Sequence, residues 1–144
     1  MKKLIHLPLL ILLFIWEFPQ NMLGIIIYLI FRRKHLLITS EKESSHFFFE
    51  TTNLGVSLGK FIFWKKSGNR YAHLKNDCRM HEYGHALQSL MLGPLYLIVI
   101  GIPSISRFLF ARWYQKRHHT EWKNYFNAFP ENWADKLGGV TGKA

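Results

Sequence analysis

Apolar residues are segregated in this chain, and that segregation limits its possible folds more than any other feature. Residues 4 to 31 hold two apolar blocks, LIHLPLLILLFIW and MLGIIIYLIF, and residues 86 to 110 hold a third apolar region. The remainder of the 144 residues is markedly polar, although the overall apolar share, 49%, is ordinary for a globular protein. Little material is left for an independent soluble core. A single domain is therefore expected, a mainly helical α+β membrane protein.

Charge points the same way. The net charge is +10, and Lys2, Lys3, Arg32, Arg33, Lys34, Arg107, Arg112, Lys116 and Arg117 lie at or near the ends of the apolar segments. Anionic headgroups and the positive-inside rule both favour basic residues there, so the expected partner is a lipid bilayer. The sequence contains no nucleic-acid recognition motif, and a nucleic-acid partner is not expected. The single cysteine, Cys78, has no internal disulfide partner. It stands three residues before His81, and the simplest role for it is a structural or incidental thiol rather than a ligand.

Met1 to Trp16 has the basic start and apolar stretch of a secretory signal, but EFPQN follows with no small-residue cleavage pattern, so the segment is expected to be retained. A continuous helix over residues 4 to 31 would be roughly 42 Å long and could cross a bilayer with tilt. Two arms of ten to thirteen residues would each fall short of the roughly 30 Å core. Glu17 and Pro19 favour the broken version, with a kink or turn at residues 17 to 21, because a proline disfavours an unbroken helix and a carboxylate near the bilayer centre is costly. A single crossing is the alternative. The broken path puts Lys2-Lys3 and Arg32-Arg33-Lys34 on one, cytoplasmic, side.

Between the membrane segments, HFFFET (46 to 51) and VSLGKFIFW (56 to 64) are rich in aromatic and β-branched residues and are separated by Asn53-Leu54-Gly55. They predict a β-hairpin region over 36 to 64, with TSEKESS (39 to 45) and KKSGNR (65 to 70) as loops. There are no internal repeats and no second domain.

The chemistry is carried by HEYGH, residues 81 to 85. On a helix, predicted here over 78 to 92, positions four apart share a face, so His81 and His85 can aim both imidazoles at one metal ion. Glu82 flanks that ion without ligating it, where a carboxylate can take a proton from water. Gly84 removes side-chain bulk beside the proposed metal. A catalytic zinc site has three protein ligands and leaves a fourth position to water, so a third ligand must come from elsewhere. FPENWADKLGG, residues 129 to 139, supplies one: Pro130 and Gly138-Gly139 bracket a short helix over 130 to 137 in which Glu131 and Asp135 share a face. Glu131 is then the third ligand, and Asp135 accepts the remaining ring N–H of a ligating histidine.

H-E-x-x-H followed at a distance by E-x-x-x-D resembles the gluzincin class of zinc metallopeptidases. HEYGHALQSLMLGPLYLIVIGIPS together with ENWADKLGG is also similar to a group of small bacterial membrane proteins. The resemblance covers residues 81 to 139. It implies a zinc ion (Zn²⁺) held by His81, His85 and Glu131, Glu82 as general base, Asp135 behind a histidine, and a peptide or protein substrate. It also implies a strand upstream of the metal helix on whose edge the substrate lies extended; VSLGKFIFW fits that position, or is a core strand without substrate. The chain is shorter than most such peptidases and lacks a recognisable substrate domain. The implied location is a bacterial inner membrane, with the metal site facing the cytoplasm.

Topology then follows from the ligand set. If residues 86 to 110 crossed the bilayer once, Glu131 would start on the wrong side, and the intervening segment holds Arg112, Lys116, Arg117, His118, His119, Glu121 and Lys123. A re-entrant path over 94 to 110, bent at Gly93-Pro94 and at Gly101-Ile102-Pro103, returns the chain to the same face, with Arg107 and Arg112 at headgroup level. Hydrolysis also needs an oxyanion donor, for which Tyr125, His118 and His119 are candidates; Tyr125 and Trp133 have packing as the plainer role, and His73 has no identifiable partner. The competing reading is a membrane protein whose zinc site is structural and which acts by binding a partner. A third is a basic membrane peptide with a fortuitous motif.

Overall fold

The computed structural model describes residues 2–43, 45–52, 55–65 and 75–140. Two helices open the chain, α1 (Lys2–Trp16) and α2 (Phe18–Arg33), and they meet at an angle of 88°. The broken reading of the first apolar region therefore holds and the single continuous helix does not. Pro19 sits in the first turn of α2, where its missing N–H deprives the helix of nothing. Leu9, Leu12 and Ile15 on α1 and Ile26 and Leu29 on α2 are exposed.

Glu17 marks the break, and the structure explains why a carboxylate belongs there. It is fully buried, paired with the Lys60 ammonium at 2.9 Å, and accepts a hydrogen bond from the Ser89 hydroxyl at 2.6 Å. Around it, Gln20 Nε2 donates to the Gly93 carbonyl (2.8 Å), Asn21 Oδ1 accepts from the Lys60 backbone N–H (2.8 Å), and Trp16 Nε1 donates to the Leu90 carbonyl (3.0 Å). The bend is thus fastened to both the sheet and the site helix.

The sheet has four strands, β1 (Leu37–Glu43), β2 (His46–Thr51), β3 (Val56–Leu58) and β4 (Phe61–Lys65), in the order β1-β2-β4-β3. Both faces of β2 and β4 are buried, successive side chains pointing to opposite sides. Phe49 and Phe63 meet Tyr28 and Phe31 of α2 at ring distances of 5.0 and 5.5 Å, while Phe48, Ile62 and Trp64 pack on Ala86 and Tyr83 of the helix behind.

Three sequence expectations are corrected here. HFFFET and VSLGKFIFW do not form one hairpin: β2 pairs with β4 in parallel, and VSLGKFIFW is itself two strands, β3 and β4, which pair antiparallel. The sequence turns at Gly59, whose φ of +61° suits a residue without Cβ. TSEKESS is not simply a loop, because residues 37 to 43 form β1, an edge strand held to β2 by backbone pairing. Its exposed, charged side chains carry no apolar alternation, as befits an edge guarded against further pairing. Of the expected loop over 65 to 70, Lys65 ends β4 and residues 66 to 70 lie outside the described residues, as does His73.

Helix α3 (Lys75–Leu92) carries HEYGH. The chain bends at Gly93 (φ +52°), makes a 3-10 turn over Gly93–Leu95, and enters a π-helical turn, Leu97–Gly101, that runs straight into α4 (Ile102–His118). Only the first of the two expected bends is present: Gly101-Ile102-Pro103 lies inside a continuous helix of 22 residues, Leu97–His118. Among the described residues this is the one helix long and apolar enough to cross a membrane, and α1 with α2 passes that test only as a bent pair. The chain then turns back through a 3-10 turn (Tyr125–Asn127) to α5 (Glu131–Gly138).

Candidate metal centre

Helices α3 and α5 cross at very short range, and this crossing assembles the site. A Cβ on Gly84 would lie 2.7 Å from the carbonyl carbon of Ala134, and one on Gly138 would lie 2.8 Å from that of Met80. Glycine is needed at both positions because backbone meets backbone. The expectation that Gly84 makes room for the metal is corrected: it makes room for α5, which brings Glu131.

His81 Nε2 and His85 Nε2 each lie 3.2 Å from Glu131 Oε2, and the ligand atoms of these three buried residues all fall within 4.8 Å of one another. Two ligand atoms about 2.05 Å from a tetrahedral ion stand about 3.3 Å apart, so both histidine–glutamate spacings suit a shared tetrahedral ion. The other ring nitrogens are already committed. His81 Nδ1 donates to Asp135 Oδ1 at 2.7 Å, and His85 Nδ1 donates to Gln88 Oε1 at 2.8 Å. Gln88 is held in turn by donating to the Pro130 carbonyl, and Glu131 Oε1 accepts from the Ser104 hydroxyl at 2.6 Å. With both Nδ1 atoms protonated, two imidazole lone pairs and a carboxylate oxygen converge. Such a set requires a cation between its members, either a proton or a metal ion.

Titration reflects that requirement. Burial opposes the charged form of His81, but hydrogen bonds to Asp135 and Glu131 outweigh it and hold the pKa at about 10. Burial also opposes ionisation of Glu131, whose hydrogen bonds from His81 and His85 nonetheless keep its carboxyl well below the usual range. Glu82 behaves differently: burial raises its pKa, against the opposing pull of His81, His85 and Ser57. The Ser57 hydroxyl on edge strand β3 lies 3.0 Å from Glu82 Oε2, and the Ser57 carbonyl accepts from the Tyr96 hydroxyl at 2.9 Å. Glu82 is outside the three-ligand group but beside it.

The candidate oxyanion donors separate. Tyr125 hydrogen-bonds to Ser104, the residue that also holds Glu131, and so stands at the site's edge; burial, with the charges of Glu131 and Glu82, raises its pKa. His118 and His119 do not belong to the site: they are exposed at the far end of α4, with His118 against Tyr114 at a ring distance of 4.4 Å. Fourteen residues separate His118 from Ser104, about 21 Å along the helix. Trp133 stacks on Phe129. Arg107 is also corrected as a headgroup anchor, since its guanidinium donates to the carbonyls of Asn124 and Tyr125.

Sequence reasoning missed Gln88, Ser104 and Ser57. Gln88 had a signal, a long polar side chain three residues after His85 on the helix face that must be buried. Ser104 and Ser57 had none, because their roles come from segments brought together only by the fold. No family model matches the chain, and neither the curated proteins nor the solved structures provide a significant match.

Proposed function

We propose that the chain is a membrane-embedded zinc-dependent metallohydrolase of the peptidase type. The observation that carries the reading is the set of three buried ligand atoms within 4.8 Å of one another, with a buried carboxylate, Glu82, beside them but unneeded for ligation. Their chemistry, two imidazoles and a carboxylate with an open fourth position, suits catalytic zinc. Zinc held there by His81, His85 and Glu131 would supply Lewis acidity. Glu82, restrained by Ser57, would be the group beside the ion placed to accept a proton from water and return it to a leaving nitrogen. Tyr125 is the best-placed of the candidate oxyanion donors. Among the described residues strand β3 pairs with a strand on one side only and passes beside Glu82, so an extended peptide could add there if it displaced the Tyr96 hydroxyl from the Ser57 carbonyl.

The membrane part of the reading rests on the exposed apolar faces of α1, α2 and α4 and on the basic residues bordering them. Orientation by the positive-inside rule turns the metal site to the cytoplasm of a bacterial inner membrane.

The near-complete burial of the ligands favours a second reading, a structural zinc site in a protein that acts through a partner. One variant separates the two. Glu82→Gln is expected to retain about one zinc per chain in detergent-purified protein while losing hydrolysis of a peptide library; unaltered turnover would refute the proposed mechanism. Glu131→Ala is expected to lose the zinc itself.

A further inference from the structure

The helix Leu97–His118 is about 33 Å long, enough to cross a bilayer, yet its surroundings are incompatible with crossing. Ile98, Ile102, Ile105, Leu109 and Trp113 recur at spacings of four and three residues and form one stripe, each between 57% and 63% exposed. Ser106 flanks the stripe, and its hydroxyl is satisfied within the helix by the Ile102 carbonyl at 2.8 Å, so it needs no water.

The opposite side is occupied. Arg107 stands about two and a half turns from Ile98 and so faces the other way. Its guanidinium binds the Asn124 and Tyr125 carbonyls and lies 4.8 Å from the centre of the Trp122 ring, which also meets Phe110 at 4.7 Å. The returning segment thus runs along the middle of the helix, and its Glu121, Lys123, Asn124 and Asn127 are exposed. In a crossing helix that irregular, charged segment would lie at the centre of the hydrocarbon, where lipid-exposed non-helical backbone is not tolerated.

We propose that Leu97–His118 lies in the plane of the membrane, its apolar stripe seated in the headgroup and acyl boundary of an anionic phospholipid leaflet. Charge complementarity selects the lipid: Arg112, Lys116 and Arg117 are exposed around the end of the stripe, and the chain carries a net charge of +10. The returning segment stays in water on the helix's upper side. Ser104, which holds Glu131, is then about one helix diameter or less from the lipid surface, so the site faces material presented at the interface. The inference rests on the membrane part of the proposed function and is independent of its zinc chemistry.

The test uses the full chain, with Cys78→Ser, reconstituted into phosphatidylglycerol-containing vesicles. Single fluorophores are attached at Ile98→Cys, Ile105→Cys, Leu109→Cys or Asn127→Cys, and their depths are read with lipids quenching at shallow and deep acyl positions. The three stripe positions are exposed, so the substitutions leave the core intact. In-plane docking gives the same shallow depth at Ile98, Ile105 and Leu109, with Asn127 quenched only by aqueous iodide. A crossing helix gives a depth difference of up to about 16 Å between Ile98 and Leu109 and overturns the proposal. Absence of lipid quenching at all three overturns it too, because something other than lipid then covers the face. Quenching at Leu109 is expected to weaken at least about twofold in phosphatidylcholine vesicles. Equal quenching in both lipids would remove the assignment to an anionic surface.

Discussion

Gly84→Ala touches no metal ligand, yet it is expected to abolish tight zinc binding. The added methyl would stand 2.7 Å from the Ala134 carbonyl carbon, whereas carbon atoms pack at about 3.5 Å or more, so the two backbones must separate by at least about 0.8 Å. Both neighbours are main chain, and no side chain can swing away. Glu131 rides on α5 and both histidines on α3, so the separation moves the third ligand relative to the other two. Ligand distances tolerate about 0.2 Å, and a shift about four times larger removes the carboxylate from the coordination sphere. Disturbing a residue behind a ligand costs about 10- to 100-fold in metal affinity, and displacing the ligand itself should exceed 100-fold. The assay is competition with a chromophoric chelator in detergent, beside Gly101→Ala, whose added Cβ would meet nothing closer than 3.8 Å and should bind as wild type does. A Gly84→Ala protein with native far-UV circular dichroism and zinc affinity within about threefold of wild type would refute this account of the crossing.

Asp135→Ala and Gln88→Ala each free a histidine Nδ1–H and are expected to weaken zinc binding by about 10- to 100-fold without changing stoichiometry, in the same competition assay. Zinc uptake should release at least about one proton at pH 8, because His81 with a pKa of about 10 still carries one there; calorimetry in buffers of different ionisation enthalpy measures it, and zero release would contradict the assignment. The sign for the metal-free fold follows. The raised His81 pKa adds stability that is fully present below about pH 6.5 and is lost as pH climbs through about 10. At the helix break, Lys60→Met leaves Glu17 buried and unpaired and should destabilise by about 3 to 5 kcal/mol in denaturant unfolding. Adding Glu17→Gln should recover part of that loss, and strictly additive effects would show that the pair is not coupled.

The candidate ligands were legible because helical periodicity is a local property. His81 and His85 must share a face wherever residues 81 to 85 are helical, and the same holds for Glu131 and Asp135. Glu17 and Pro19 likewise disclosed the break between α1 and α2. What misled was the treatment of strands as local objects. β1 has no apolar alternation because it is an edge, and the parallel pairing of β2 with β4 depends on a crossover through β3 that no turn signal marks. Glycines were misread for a related reason: Gly84 looked like space for an ion, when its partner is the backbone of a helix some fifty residues later.

The sequence by itself determined which residues could share a helix face, where the first apolar region must break, and that exposed apolar surface would be abundant. Those are consequences of bond geometry and solvation acting within a few residues. Only the tertiary structure decided that Glu131 meets both histidines, that Ser57, Gln88 and Ser104 support the site, that Lys60 neutralises Glu17, and that the returning segment lies along α4. Each joins segments distant in sequence through contacts a few ångströms long, and such contacts are set by how the helices and sheet pack together, which no local pattern records.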